Sequence, residues 1–330
     1  MNAASHEPFV EVRDPGYGPG LDPGDPDTAA VDIAVEGVLW APLTPAITAA
    51  GPLAFIDGVQ RTEAWLTITT PDADGPVAGV VCAVGAGLVV VEPGRRARIA
   101  ATRMRRLVIA AGDRALTLPA GGGFTWEARA GGEGDGAALA QRVGQARQGL
   151  ERALVAEHAD PARLLVLDGP LTYVRDIHEP MIGAVKSHQR MYLPADAAAI
   201  VPALAVGQRT PLFAIGEDRL SWYQRLPVAD PRGWAGILRG EATRAGGLER
   251  AARLADRATA ALPRYAGREH RDPRAPQNLQ PIAGLEDRLR HLLGDRRLAL
   301  RAVRRAARHA HIDARAVAVG VADPTTEDDR

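Results

Sequence analysis

Cysteine and lysine are almost missing from this chain: Cys82 and Lys186 are the only ones among its 330 residues. A lone cysteine excludes a disulfide within the chain and any thiolate-rich metal site, and Cys82 lies inside the apolar run 80–84, which fits a reducing compartment. Net charge is missing too. With 40 basic and 40 acidic residues, any attraction to a polyanion has to come from where the charges sit and not from their total. No uninterrupted apolar stretch is long enough to cross a bilayer. The first residues carry Pro, Gly and Asp where a secretion signal needs a basic start and an apolar core. The expectation is a soluble, cytoplasmic protein with no membrane partner. Glycine clusters at 121–123 and 131–132 lack the Lys-Ser/Thr of a phosphate loop, so a nucleotide site is weakly supported.

What is present is enough apolar material, 46% of residues, to fill a substantial core. Residues 1–30 have turn chemistry and almost no apolar periodicity and read as a flexible N-terminal arm; residues 323–330 read as an acidic, frayed tail. Between them, Leu53-Ala54-Phe55-Ile56 is wholly apolar and stops at Asp57-Gly58, residues 61–70 alternate, residues 77–91 form a strand region broken by glycines, and 106–111 add a short apolar run. Short links between these strands predict antiparallel neighbours. A helix is expected over 137–158, with Leu139, Val143, Ala146, Leu150, Ala153 and Leu154 as its apolar stripe. Leu164-Leu165-Val166-Leu167 then runs, apolar at every position, into Asp168-Gly169, the habit of a central strand covered on both faces. Further strands are expected at 211–215, 220–226 and 235–238, and helices at 247–262, 283–293 and 295–311. The fold class is α/β, a mixed sheet flanked by helices, with a helical C-terminal region.

Each of the two Asp-Gly steps ends a buried strand before a glycine that lets the chain turn, which puts a carboxylate on the rim of the sheet. Asp-Gly is also an ordinary turn pair. If the two strands are neighbours, about 4.8 Å apart, both carboxylates can reach divalent ions spaced roughly 4 Å from one another, and Mg²⁺ or Mn²⁺ prefers such oxygen donors. A third carboxylate is sought on the intervening helix. The strand before Asp168 covers roughly 17 Å, about eleven helical residues, which counts back from the helix end to the neighbourhood of Arg147 and favours Glu151 over Glu157. An ordinary partner for Arg147 or Arg152 is the alternative for Glu151. Lys186 stands out because every other basic residue is arginine; a compact ammonium differs from a guanidinium mainly where a point charge must reach a phosphate or water in a tight space.

Three segments in order, Phe55-Ile56-Asp57-Gly58-Val59-Gln60-Arg61, Val166-Leu167-Asp168-Gly169-Pro170-Leu171 and Ile182-Gly183-Ala184-Val185-Lys186-Ser187, together with residues 207–213, 221–226 and 237–241, resemble the NurA family of nucleases over about residues 50–295. The resemblance implies an RNase H-like nuclease domain over 31–295, followed by a basic C-terminal helix and end segment over 296–322. It implies that Asp57, Glu151 and Asp168 are metal ligands for Mn²⁺ or Mg²⁺, that Lys186 lies near the scissile phosphate, and that Arg209, Arg225 and Arg239 hold the DNA backbone by forked contacts. A structural pairing of those arginines with Glu217, Asp218 or Glu241 is the alternative. The implied activity is metal-dependent cleavage of DNA in double-strand break end processing, by a homodimer beside a HerA-type ring ATPase.

One departure is plain. The family carries a late histidine after a Pro-rich turn, whereas Pro276-Gln277-Asn278-Leu279-Gln280-Pro281-Ile282 has none. His270 and His291 flank the run, and Gln277 or Asn278 offers a weaker oxygen donor. The missing histidine motivates a second reading, a catalytically weakened or inactive DNA-binding or assembly subunit of a repair complex. Arg297, Arg301, Arg304, Arg305 and Arg308 form a basic stripe on the last expected helix, opposite Leu298, Leu300 and Val303, which is either a phosphate track or a solvated face. Trp222 and Tyr223 read as base-stacking candidates or as core.

Overall fold

A computed structural model of the chain describes residues 9–13, 30–46, 51–69, 75–171, 179–186, 192–229, 233–268, 270–271 and 275–312. The expected acidic tail and most of the expected N-terminal arm lie outside these. In chain order the elements are β1 (Phe9–Arg13), β2 (Val31–Asp32), β3 (Leu53–Thr69), β4 (Val77–Val91), β5 (Arg98–Ala110), β6 (Leu116–Thr117), β7 (Glu127–Ala130), α1 (Gly136–Glu157), β8 (Leu164–Asp168), β9 (Met181–Val185), α2 (Ala195–Ala198), β10 (Phe213–Ile215), β11 (Arg219–Arg225), β12 (Ile237–Thr243), α3 (Leu248–Ala261), α4 (Gln280–Leu292), α5 (Arg296–Ala306) and β13 (His311–Ile312).

Most strands join one mixed sheet in the order β2-β10-β11-β12-β9-β8-β3-β4-β5-β7, with β1 also paired to β3, while β6 and β13 form a separate ribbon. The long β3, β4 and β5 are successive antiparallel neighbours; after α1 the chain returns in β8, parallel to β3, and β9 is parallel to β8. The glycines of 77–91 do not break a strand as expected: β4 is continuous over 15 residues and nearly all buried. Sandwiched centrally between β3 and β5, its backbone is paired on both edges, and small residues are needed where helices press on it. Gly87 is one such position, because a Cβ there would lie 2.7 Å from Leu285 of α4.

Side chains alternate across the sheet, so its two faces collect different helices. Val80, Cys82, Val84 and Ala86 meet Leu139, Val143, Leu150 and Leu154 of α1 on one face. Phe55, Val59, Val166 and Ala184 meet α3 and α4 on the other, through Ala255, Ala258, Ile282 and Leu285. A β-bulge between Thr62 and Ala64 inserts one residue into β3 and keeps Ala64, Leu66 and Ile68 on this second face, where Val303 and Ala306 of α5 cover them. The boundary expected at 295/296 is therefore no seam: α5 packs into the same sheet.

Helix α1 starts where Asp135 accepts hydrogen bonds from the amides of Ala137 and Ala138, an N-cap worth about 1 kcal/mol. Its buried stripe differs from expectation in four places: Glu151 and Val155 are buried, whereas Ala146 is half-buried and Ala153 exposed. Helix α5 buries Ala299, Ala302, Val303 and Ala306 and leaves Leu298 exposed, because a narrow strip of small side chains is what allows it close to β3. The expected arm also contains structure, since β1 pairs with the far half of β3 from Phe9 against Thr69 to Arg13 against Trp65.

Candidate functional site

The parallel register pairs Ile56 with Leu167, so Asp57 and Asp168 come next to one another, one residue further along adjacent strands. Ala184 of β9 lies opposite Asp168, and two residues on, where alternation returns to the same face, stands Lys186. The ammonium donates to Asp168 Oδ2 at 2.8 Å and to Asn278 Oδ1 at 2.6 Å. Asn278 is fully buried just ahead of α4. The run in which a histidine was sought therefore does reach this site, and it presents an amide oxygen to the lysine. Its position had a sequence signal of sorts, a polar residue held between Pro276 and Pro281 with apolar Leu279 and Ile282 to anchor it.

Asp57 is 7% exposed, and its Oδ1 accepts the amide of Gly58 at 2.7 Å. Its carboxyl is pushed up to about 7, first by burial and then by the charge of Asp168, against the opposing pull of Lys186 and of the Gly58 amide; Glu151 adds a smaller push upward. The pair thus carries more negative charge than one ammonium settles.

Glu151 reaches the same place from the other side of the sheet. Its Oε1 occupies the space that a Cβ on Gly58 would need, on the α1 face, while Asp57 follows Phe55 and Val59 toward α3 and α4. Gly58 leaves the gap through which the three carboxylates sense one another. Glu151 is 2% exposed and ion-paired with Arg147, one turn back along α1, whose Nε also donates to Gln60 Oε1 at 3.3 Å. Glu157 is remote from this group and pairs with Arg103 at 2.7 Å.

No family model and no curated protein matches this chain.

Among the described residues, no three His, Cys, Asp or Glu side chains are gathered closely enough to grip one ion. Asp57-Gly58 does not end a strand as expected, because β3 stays paired with β4 straight through it; Asp57, inside β3, forms a pair with Asp168 at the end of β8, and the sheet itself stands between them and Glu151. Among the described residues, neither His270 nor His291 hydrogen-bonds to these aspartates.

The three arginines expected to hold DNA are placed differently. Arg209 is 3% exposed and its fork is filled by Glu36 at 2.8 Å and Asp256 at 2.6 Å. Arg225 donates to the carbonyls of Leu204, Ala235, Pro202 and Gly233, tying loops at one end of the sheet. Arg239 pairs with Glu241 and lies over the ring of Tyr192, 4.8 Å from its centroid. All three guanidiniums are buried and bonded within the fold, which favours the alternative of a structural role over a forked contact to phosphate. Trp222 and Tyr223 are core residues, both wholly buried. No helix among the described residues is long and apolar enough to cross a membrane.

Proposed function

We propose that this chain is a divalent-metal-dependent deoxyribonuclease on an RNase H-like sheet. The observation that carries the reading is the Asp57 and Asp168 pair, side by side at the ends of a parallel strand contact, with the sole lysine of the chain against it. The strand order β5-β4-β3-β8-β9, antiparallel then parallel, is the arrangement the NurA resemblance implies. The donor set suits a hard cation: burial first, and then the charge of the half-buried Asp168, lift Asp57 to about 7, and Mg²⁺ or Mn²⁺ would offset both. Asp57 and Asp168 would hold the ion, with Glu151 acting across Gly58. When bound, such a cation supplies a Lewis acid for a phosphoryl oxygen and neutralises the charge that develops there during phosphodiester hydrolysis.

The residues of the chain have distinct parts. Asn278 aims the Lys186 ammonium, and the ammonium pairs with Asp168 and stands ready to take a phosphate oxygen as a further acceptor. Arg147 holds the Glu151 carboxylate against Gly58. By the resemblance, the protein acts as a homodimer beside a HerA-type ring ATPase in the processing of double-strand breaks.

The test is cleavage of labelled single- and double-stranded DNA across a series of divalent ions. Wild type is expected to cut with Mn²⁺ or Mg²⁺ and to fall to background with Asp57→Ala or Asp168→Ala; cleavage retained in both variants rejects the reading. A second reading, a DNA-binding or assembly subunit with a weakened site, is favoured by the internal pairing of Asp168 with Lys186 and of Glu151 with Arg147, and by the absence of the family's late histidine from residues 276–282. It predicts DNA binding without turnover in every metal.

A further inference from the structure

On the α1 face, away from the aspartate pair, a groove of about 770 Å³ runs between α1 and the sheet edge formed by β5 and β7. Four arginines line it: Arg105 from β5, Arg129 from β7, and Arg142 and Arg152 from α1. All four are exposed. Their neutralisation is incomplete. Arg105 and Arg129 share one carboxylate, Glu127, at 3.6 and 3.0 Å. Arg142 donates to the Gly131 carbonyl and to Gln145 Oε1, both uncharged. Arg152 has no acidic partner among the described residues. In a chain with no net charge, this concave strip holds four guanidiniums against one carboxylate.

The floor explains why the groove exists. Ala146, Gly149 and Ala153 follow one another along the flank of α1 at helical spacing, and a Cβ added at Gly149 would meet nothing within 4 Å. Ala146 and Ala153 were expected in the buried stripe; that flank is instead left low, with arginines standing along it. Gln145 and Gln148 add neutral hydrogen-bonding groups. No aromatic side chain lines the groove, so nothing there stacks on a base.

We infer that this groove binds the sugar-phosphate backbone of a single-stranded nucleic acid, without regard to base sequence. Guanidiniums at several positions along a trough match a repeating phosphodiester, and they stand on both of its walls, Arg105 and Arg129 on the sheet side and Arg142 and Arg152 on α1, where one backbone laid between them meets all four. The single turn that turns Glu151 inward to Gly58 turns Arg152 outward into the groove, so a strand held there lies along the same helix that serves the aspartate site. The inference rests on the proposed nuclease reading only for what the bound strand is for.

The test is fluorescence anisotropy of a short labelled oligodeoxythymidylate with the full chain carrying Asp57→Ala, in EDTA, so that binding is read without cleavage or metal. Expected is an affinity that falls with salt with a log-log slope of roughly −2 to −3, as for three or four phosphates on a single strand, and equal affinity for oligodeoxyadenylate. Arg152→Ala should weaken binding and make the slope shallower by about 0.7. Gly149→Leu fills the trough from a position with open space and favours the helix, so it should lower affinity about tenfold or more with the melting temperature retained. Arg301→Ala, on the exposed stripe of α5, should change neither. The inference is overturned if no binding is seen, if Gly149→Leu binds as wild type does, if Arg301→Ala weakens binding as much as Arg152→Ala, or if polyglutamate binds as tightly as the oligonucleotide. Binding of this pattern in a protein that fails to cut DNA with every divalent ion of the series would reject the nuclease reading and leave the groove standing.

Discussion

Asp57 is the residue on which the chemistry of the site turns, and its environment makes a sign-definite prediction. An acid whose value in the folded protein lies above its ordinary 3.8 is held more tightly as the neutral form, so ionising it costs stability. That cost is absent below about pH 4, grows as pH rises, and is complete once pH passes the folded value of about 7. Asp57→Asn removes it. The melting temperature of Asp57→Asn should therefore match wild type near pH 4 and exceed it by several degrees at pH 8, with the gap opening between. A gap that is constant across this range would mean that Asp57 is not the strained group. Under the metal proposal, Mn²⁺ at pH 8 should raise the melting point of wild type and leave that of Asp57→Asn nearly unmoved.

At the scale of elements, the contact that matters is α1 against β3. A helix presses on a strand at Gly58 because no Cβ intervenes, and Glu151 fills the space. Gly58→Ala would drive a methyl into Glu151 Oε1 and to 2.9 Å from Arg147 Cγ. Crowding of this kind costs about 1–3 kcal/mol. Because both residues occupy one space, Glu151→Ala should restore most of the loss in the double variant, and a thermodynamic cycle in chemical denaturation measures the coupling. Additive losses would show that Glu151 does not bear on Gly58. Lys186 is placed by a different pair of elements: β9 sets its register to Asp168, and the approach to α4 brings Asn278 from 92 residues away.

For the whole molecule, Arg209 illustrates how far a residue's role depends on the assembled fold. It joins the segment before β3, through Glu36, to α3, through Asp256, in a buried network. Arg209→Ala leaves Glu36 uncompensated, which costs on the order of 3–5 kcal/mol and lowers the melting point by roughly 10 °C. Below that transition, affinity for an oligonucleotide should equal that of wild type, since the guanidinium faces inward; a selective loss of affinity with unchanged stability would restore the arginine as a DNA contact. The same scale accounts for α5, which continues the helical layer over β3, and for its five outward arginines, none with an acidic partner among the described residues.

Local pattern determined a good deal of this protein. Unbroken apolar runs before Asp-Gly marked all of β8 but only the start of β3, which runs on to Thr69, and the span of α1 followed from its apolar stripe, because burial period acts over a few residues. The sharp lysine signal was legible from composition alone. Other features depended on which distant elements meet. The pairing of β3 with β8 made the two aspartates neighbours, but the rotation of α1 about its axis decided that Glu151 faces the opposite side of the sheet, and the path into α4 decided that Asn278 receives Lys186. Arg209, Arg225 and Arg239 look in sequence like any phosphate-binding arginine. Only packing shows them buried, since the carboxylates and carbonyls that fill their forks come from remote parts of the chain. The sequence alone thus placed carboxylates directly after buried apolar runs. Tertiary structure decided which of them share a face and which arginines stay open to a polyanion, because a side chain's partners across a sheet are set by register and helix rotation rather than by its neighbours in the chain.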